Sequence, residues 1–143
     1  MGMKKIIISS FIVVVVIAVV TVLLNLSSPR ESNYRLHLVV DSWSESDIDY
    51  PEEEFDFENI TLNKTYVIPG DNYYELREFK VVKVDKSSIT IYTSIPLSNK
   101  EDGTIDLNSK KRRFVIEDGK TLSLDTLTMD AGEWYEFTLI EKE

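Results

Sequence analysis

Tyr74-Glu75-Leu76-Arg77-Glu78-Phe79-Lys80-Val81-Val82-Lys83-Val84, then Asp85-Lys86-Ser87-Ser88, then Ile89-Thr90-Ile91-Tyr92-Thr93-Ser94-Ile95, is the stretch that decides the fold. Both arms are rich in β-branched and aromatic side chains, which fit a pleated, half-buried surface better than a helix. The residues between them are turn formers. The stretch therefore predicts a β-hairpin.

The same pattern extends in both directions. Upstream, Tyr34, Leu36, Leu38 and Val40 alternate with Arg35, His37 and Val39, and Lys64 to Ile68 runs into Pro69-Gly70-Asp71-Asn72, a strong turn. Downstream, a polar loop from Ser98 to Gly103 leads to a short strand at Thr104 to Leu107. Arg112–Glu117, the Asp118-Gly119 turn and Lys120–Leu124 read as a second hairpin with a type I′ turn. Ala131-Gly132 precedes a last strand, Glu133 to Glu141, with Tyr135, Phe137 and Leu139 on one face. No stretch after residue 30 sustains a helical period. The expected fold is all-β: a small antiparallel β-sandwich or barrel, preceded by one N-terminal transmembrane helix.

That helix is read from Ile6 to Leu24, 19 uncharged residues interrupted by polar side chains only at Ser9, Ser10 and Thr21. At about 1.5 Å per residue it would cover roughly 28 Å, close to a bilayer core. Valine runs are mediocre helix formers in water, but lipid forces the backbone to close its own hydrogen bonds. The apolar core is longer than that of a cleavable signal peptide, and no small-x-small site follows it. Lys4 and Lys5 ahead of the span favour a cytoplasmic N-terminus, although Arg30 and Arg35 weaken the asymmetry. The chain thus divides into a cytoplasmic stub at 1–5, a membrane anchor at 6–26, a polar tether at 27–33 and an extracytoplasmic β domain at 34–143, with the lipid bilayer as the partner of 6–26.

Charge restricts the partners of the outer part. Three of the 16 bases, Lys4, Lys5 and Arg30, precede Glu31, so the remainder carries 13 bases against all 25 acids, a formal net of −12. Such a balance argues against nucleic acid as a partner and permits divalent cations or cationic peptides. With no cysteine there are no disulfides, which in an outer compartment points to a bacterial cell surface. The layout resembles that of many small surface proteins of Gram-positive bacteria, a generic likeness that transfers no site residues. Asn59-Ile60-Thr61 and Asn63-Lys64-Thr65 match glycosylation sequons, but in a bacterium they are ordinary strand and turn residues.

Catalytic classes can be tested by inventory. Serine and cysteine triads need an imidazole, and the one histidine, His37, reads as a sheet-face residue beside Arg35 and Val39. Zinc lacks its ligands, and the five glycines are scattered rather than gathered into a phosphate loop. What survives is a hydrolase using only carboxylates. The expectation is no enzyme, no catalytic residues and no bound cofactor.

From Asp41 to Glu58 there are nine acids and no base. Asp47, Asp49 and Glu58 fall at the first, third and twelfth positions of a helical calcium loop, as candidate metal ligands. Pro51 at the fifth position and Glu52 at the sixth, where glycine is needed, break the match. The plainer reading is a solvated linker entering an edge strand, with Phe55 and Phe57 inward and Asp56 and Glu58 outward, where charge blocks edge-to-edge pairing. The opposite run, Lys110-Lys111-Arg112-Arg113, must lie at an end or an edge. Trp43, Tyr50, Tyr73, Tyr74 and Trp134 sit beside loops, where rings can stack on sugars. The sequence is consistent with a single-pass binding or scaffolding domain, acting with an envelope protein partner, against two rivals: a calcium- or glycan-binding module and a carboxylate-only hydrolase.

Overall fold

A computed structural model of the chain describes residues 13–21, 31–46, 50–70, 74–99 and 101–143. The chain divides into two compact units, Met1–Arg30 and Glu31–Glu143. In the first unit, residues 13–21 are helical, and their valines and Ile17 are exposed. The Thr21 hydroxyl donates to the Ile17 carbonyl one turn back at 2.8 Å, which satisfies a polar side chain within the helix itself. Among the described residues no helix is long and apolar enough to cross a membrane. The rest of the expected 6–26 span lies outside the described residues, as do the 1–5 stub and the 27–30 part of the tether.

Among its described residues the second unit contains eight strands: β1 (Tyr34–Ser44), β2 (Glu53–Phe57), β3 (Thr65–Val67), β4 (Glu78–Val84), β5 (Ser88–Thr93), β6 (Arg113–Glu117), β7 (Thr121–Asp125) and β8 (Ala131–Glu141). They form two antiparallel four-stranded sheets, β2-β1-β8-β7 and β3-β4-β5-β6. Each strand sends alternate side chains into one shared core. Leu36, Leu38 and Val40 of β1 meet Tyr135, Phe137 and Leu139 of β8, and Phe79, Val81, Ile89, Ile91, Phe114 and Ile116 enter from the other sheet. Phe79 links the layers, with its ring edge-on to Phe137 at 5.4 Å and to Phe57 at 5.2 Å. Glu31 to Asn33 belong to this unit: the Ser32 N–H donates to the Ile60 carbonyl at 2.7 Å and the Lys142 N–H to the Asn33 carbonyl at 2.8 Å.

The acidic segment does enter an edge strand. β2 pairs only with β1, Phe55 and Phe57 pack on the core, and Glu54 and Asp56 face out. Asn59 and Asn63 both take positive φ, 55° and 65°, a conformation in which asparagine is favoured among side-chain-bearing residues. The β4–β5 hairpin forms as expected, with a bulge between Val81 and Lys83.

Three expected elements differ. Tyr74 to Arg77 lies ahead of β4, because the N–H groups of Glu75 and Leu76 donate to side chains of β8 instead of to a ladder. Thr104 to Leu107 is not a strand. There the Asp102 carboxylate takes the Thr104 N–H at 3.0 Å, the Ser98 hydroxyl takes the Asp106 N–H at 2.8 Å, and local capture wins over sheet pairing. Finally, β6 and β7 are not a hairpin: they lie in different sheets. A type I′ turn needs positive φ at both central residues, and of the pair only Gly119 has it, at 70°. The chain instead turns a corner. Lys120 N–H closes on the Glu117 carbonyl at 3.1 Å, while Asp118 N–H holds Ser87 of one sheet and Gly119 N–H holds Leu139 of the other.

Candidate functional site

Where β1 ends and β8 begins, register places Ser42 opposite Glu133 and Trp43 opposite Gly132. Gly132 is there for space. A Cβ on it would collide with the Thr126 and Thr128 hydroxyls and come within 3.1 Å of the Trp43 ring. The indole therefore lies directly against backbone. Tyr50 and Pro51, just before β2, and Tyr74 and Glu75, just before β4, complete a cleft of about 350 Å³. Tyr50 is exposed, Trp43 half-buried and Tyr74 buried, its ring edge-on to Phe55 at 6.3 Å.

The floor of the cleft is held by a polar network. The Tyr135 hydroxyl donates to the Glu133 carboxylate and accepts the Leu76 N–H at 3.0 Å. The same Glu133 oxygen accepts the Glu75 N–H at 2.8 Å, and the Thr126 hydroxyl accepts the Glu133 N–H at 2.9 Å. Burial pushes the Glu133 carboxyl above the ordinary carboxylate range, against the lowering effect of the two hydrogen bonds that it accepts. Burial likewise raises the Tyr135 hydroxyl far out of reach of ionisation, and the Glu133 carboxylate adds to that. The hydroxyl therefore stays a proton donor. These bonds clamp the 74–76 segment, just ahead of β4, to β8 of the other sheet.

The five aromatics picked out in the sequence separate. Trp43, Tyr50 and Tyr74 converge on this cleft, Trp134 lines a different one, and Tyr73 lies outside the described residues. Glu75 and Glu133 could be recognised only from the fold, since both are unremarkable acids among 25. Of the candidate calcium ligands, Asp47 and Asp49 lie outside the described residues, and Glu58 forms an ion pair with Lys142 at 3.1 Å. Among the described residues there is no group of three or more His, Cys, Asp or Glu side chains placed to hold a metal ion. His37 is on the outer sheet face, with Nδ1 3.0 Å from Asp56 and Nε2 3.8 Å from Glu54. Lys110 to Arg112 lead into the edge strand β6, and Lys111 covers the Phe114 ring at 5.1 Å.

A second, larger cleft of about 740 Å³ opens along the seam between the β6 and β7 edges, with Val115, Leu122, Ser123, Asp125 and Trp134 on its walls. Burial raises the Asp125 carboxyl above its ordinary range. Comparison of the chain with known protein families, curated proteins and solved structures gives no match.

Proposed function

We propose that the chain is a membrane-anchored, extracytoplasmic binding module whose aromatic cleft takes a short saccharide. The observation that carries this reading is the convergence of Trp43, Tyr50 and Tyr74, from three separate segments, beside the Glu75 and Glu133 carboxylates. Aromatic walls match the apolar faces of sugar rings, and a few fixed polar groups set orientation, which is the usual make-up of a small-molecule site. A volume of about 350 Å³ suits one or two rings. The surrounding acidity favours neutral or amino sugars over anionic ones. The anchor is supported by the uncharged run from Ile6 to Leu24 and by the exposed valines of residues 13–20, which need an apolar environment.

A carboxylate-only hydrolase would use the same cleft, with Glu133, whose carboxyl burial pushes above its ordinary range, as the acid. Its Oε2 atom, however, already accepts two hydrogen bonds that tie the fold together. Binding without turnover is the simpler use of this geometry.

The test uses the full chain in detergent with Trp134→Phe, which leaves Trp43 as the only indole. Titration with oligosaccharides of N-acetylglucosamine and of glucosamine should change Trp43 fluorescence saturably. Tyr50→Ala should weaken the response, and no reducing ends should accumulate. A flat response to both sugars into the millimolar range overturns the reading, and steady release of reducing ends would replace it by the hydrolase.

A further inference from the structure

The four sheet edges are unequally protected. β2 carries Glu53, Glu54 and Asp56, β3 is three residues long, and β7 is capped at Asp125 by a bridge to Ser98 in both directions, at 2.9 and 3.0 Å. Charge, shortness and coverage are the usual ways to block edge pairing. β6, Arg113-Phe114-Val115-Ile116-Glu117, has none of them at its centre, where Val115 is 57% exposed.

Register fixes which backbone groups are available. Asp118 N–H donates to the Ser87 carbonyl at 2.9 Å, and Thr93 N–H donates to the Arg112 carbonyl at 2.8 Å. Even-numbered residues of this segment therefore bond to β5, and the N–H and C=O of Arg113, Val115 and Glu117 point to the open edge. The Glu117 carbonyl also accepts the Lys120 N–H. The same three residues put their side chains on the outer face, while Phe114 and Ile116 point into the core.

We propose that β6 pairs antiparallel with β6 of a second copy of this chain, about a twofold axis through Val115. The strand is self-complementary in that register alone. Val115 meets Val115, and Arg113 meets Glu117 on both sides of the axis, so each copy supplies one base and one acid. Arg113 and Val115 have backbone donor and acceptor aimed at the open edge, as does the Glu117 N–H, while the Glu117 carbonyl would share its second lone pair with the partner. Opposite charges directly across an antiparallel pair are favourable. Among the described residues Arg113 has no ion pair of its own, whereas Glu117 already touches Lys120 and would be shared with the incoming guanidinium. The product is one continuous eight-stranded sheet across two molecules, an isologous contact that closes on itself. The inference is independent of what the aromatic cleft binds.

The register is tested by cross-linking. The chain has no cysteine, so Val115→Cys places a single thiol opposite its own twin. In a hydrogen-bonded pair the Cα atoms are about 5.5 Å apart, within the reach of a disulfide. Full-length Val115→Cys in detergent, oxidised with copper phenanthroline, should give a dimer in high yield. Val67→Cys, a comparably exposed site on the β3 edge, should not. A charge cycle on the otherwise unaltered chain supplies the second measurement, by sedimentation equilibrium. Arg113→Glu or Glu117→Arg alone should weaken dimerisation about tenfold, since each creates two like-charged pairs, and the double exchange should restore it. Because the N-terminal segment is identical in all variants, its own association cannot mimic the rescue. Equal cross-linking at 67 and 115, or self-association indifferent to the single charge changes, overturns the proposal.

Discussion

Replacing Tyr135 by Phe removes one oxygen and should cost more than any other single-atom change in the sandwich. Among the described residues the hydroxyl is the only partner of the Leu76 N–H and one of two donors to the Glu133 carboxylate. Losing a hydrogen bond to a charged group costs about 1.5–3 kcal/mol, and leaving a buried N–H unsatisfied costs about 1–3 kcal/mol. Glu133 is only half-buried, so the first figure belongs at its low end, and the total comes to about 3 kcal/mol. A domain of this size has roughly 5–15 kcal/mol in all, so the change is a large fraction of its stability. The built-in comparison is Tyr34→Phe, which deletes a single neutral bond from the Tyr34 hydroxyl to the Lys86 carbonyl at 2.6 Å, worth about 1 kcal/mol. Urea unfolding followed by tryptophan fluorescence gives both numbers, provided that the slope is unchanged. If Tyr135→Phe costs less than Tyr34→Phe, the network is not the clamp that its geometry indicates.

Other expectations follow from the same coordinates. Gly132→Ala should destabilise by about 1–3 kcal/mol through overpacking and displace Trp43, read as a shift of its emission. The folded chain holds protons on Glu133 and Asp125 more tightly than the unfolded chain does, so their contribution is greatest below the ordinary values of 4.5 and 3.8 and is lost as pH rises through the folded values. Relative to the parent, Asp125→Asn with Glu133→Gln should therefore gain stability as pH rises from the ordinary carboxylate values through the folded ones, and an identical pH profile would refute the burial argument. Calcium should raise the melting temperature no more than sodium chloride of matched ionic strength, since Pro51 and Glu52 break the one recognisable ligand loop; a calcium-specific gain abolished by Asp47→Asn with Asp49→Asn would overturn that. The chain should stay in the membrane fraction after carbonate washing, and recovery of a soluble form beginning near Ser27 would sink the anchor.

The strands were legible because their periodicity reflects burial directly. Tyr34, Leu36, Leu38 and Val40 point inward because the sequence alternates, and Phe55 and Phe57 do so within an acidic run for the same reason. The failures share one physical cause, which is partners distant in sequence. Glu75 and Leu76 read as strand because their N–H groups should join a ladder, yet Glu133 and Tyr135, more than fifty residues later, take them first. Asp118-Gly119 reads as a hairpin turn because local chemistry allows one. Asp118 and Gly119 donate instead to Ser87 and Leu139, and these contacts send the chain across to the other sheet. The cleft was half legible. Its aromatics were visible as ring-bearing residues beside loops, but nothing local distinguishes Trp43 from Trp134, and one register position on β8 determines which ring reaches the site.

The position of the cleft within the sandwich bears on how an anchored module would work. β1 begins at Tyr34, three residues after the unit starts at Glu31, and runs to Ser44. At about 3.3 Å per residue, Trp43 lies roughly 30 Å along the strand from Tyr34. The start of this unit at Glu31 and the aromatic cleft therefore lie at opposite ends of β1. The β6 edge borders the larger cleft, whose lining shares no residue with the aromatic one. If the proposed anchor holds, confinement in a membrane would raise the effective concentration that such a small edge contact requires. The proposed saccharide binding and the proposed β6 pairing would thus be separable, with Trp43 and Val115 as the residues at which to separate them.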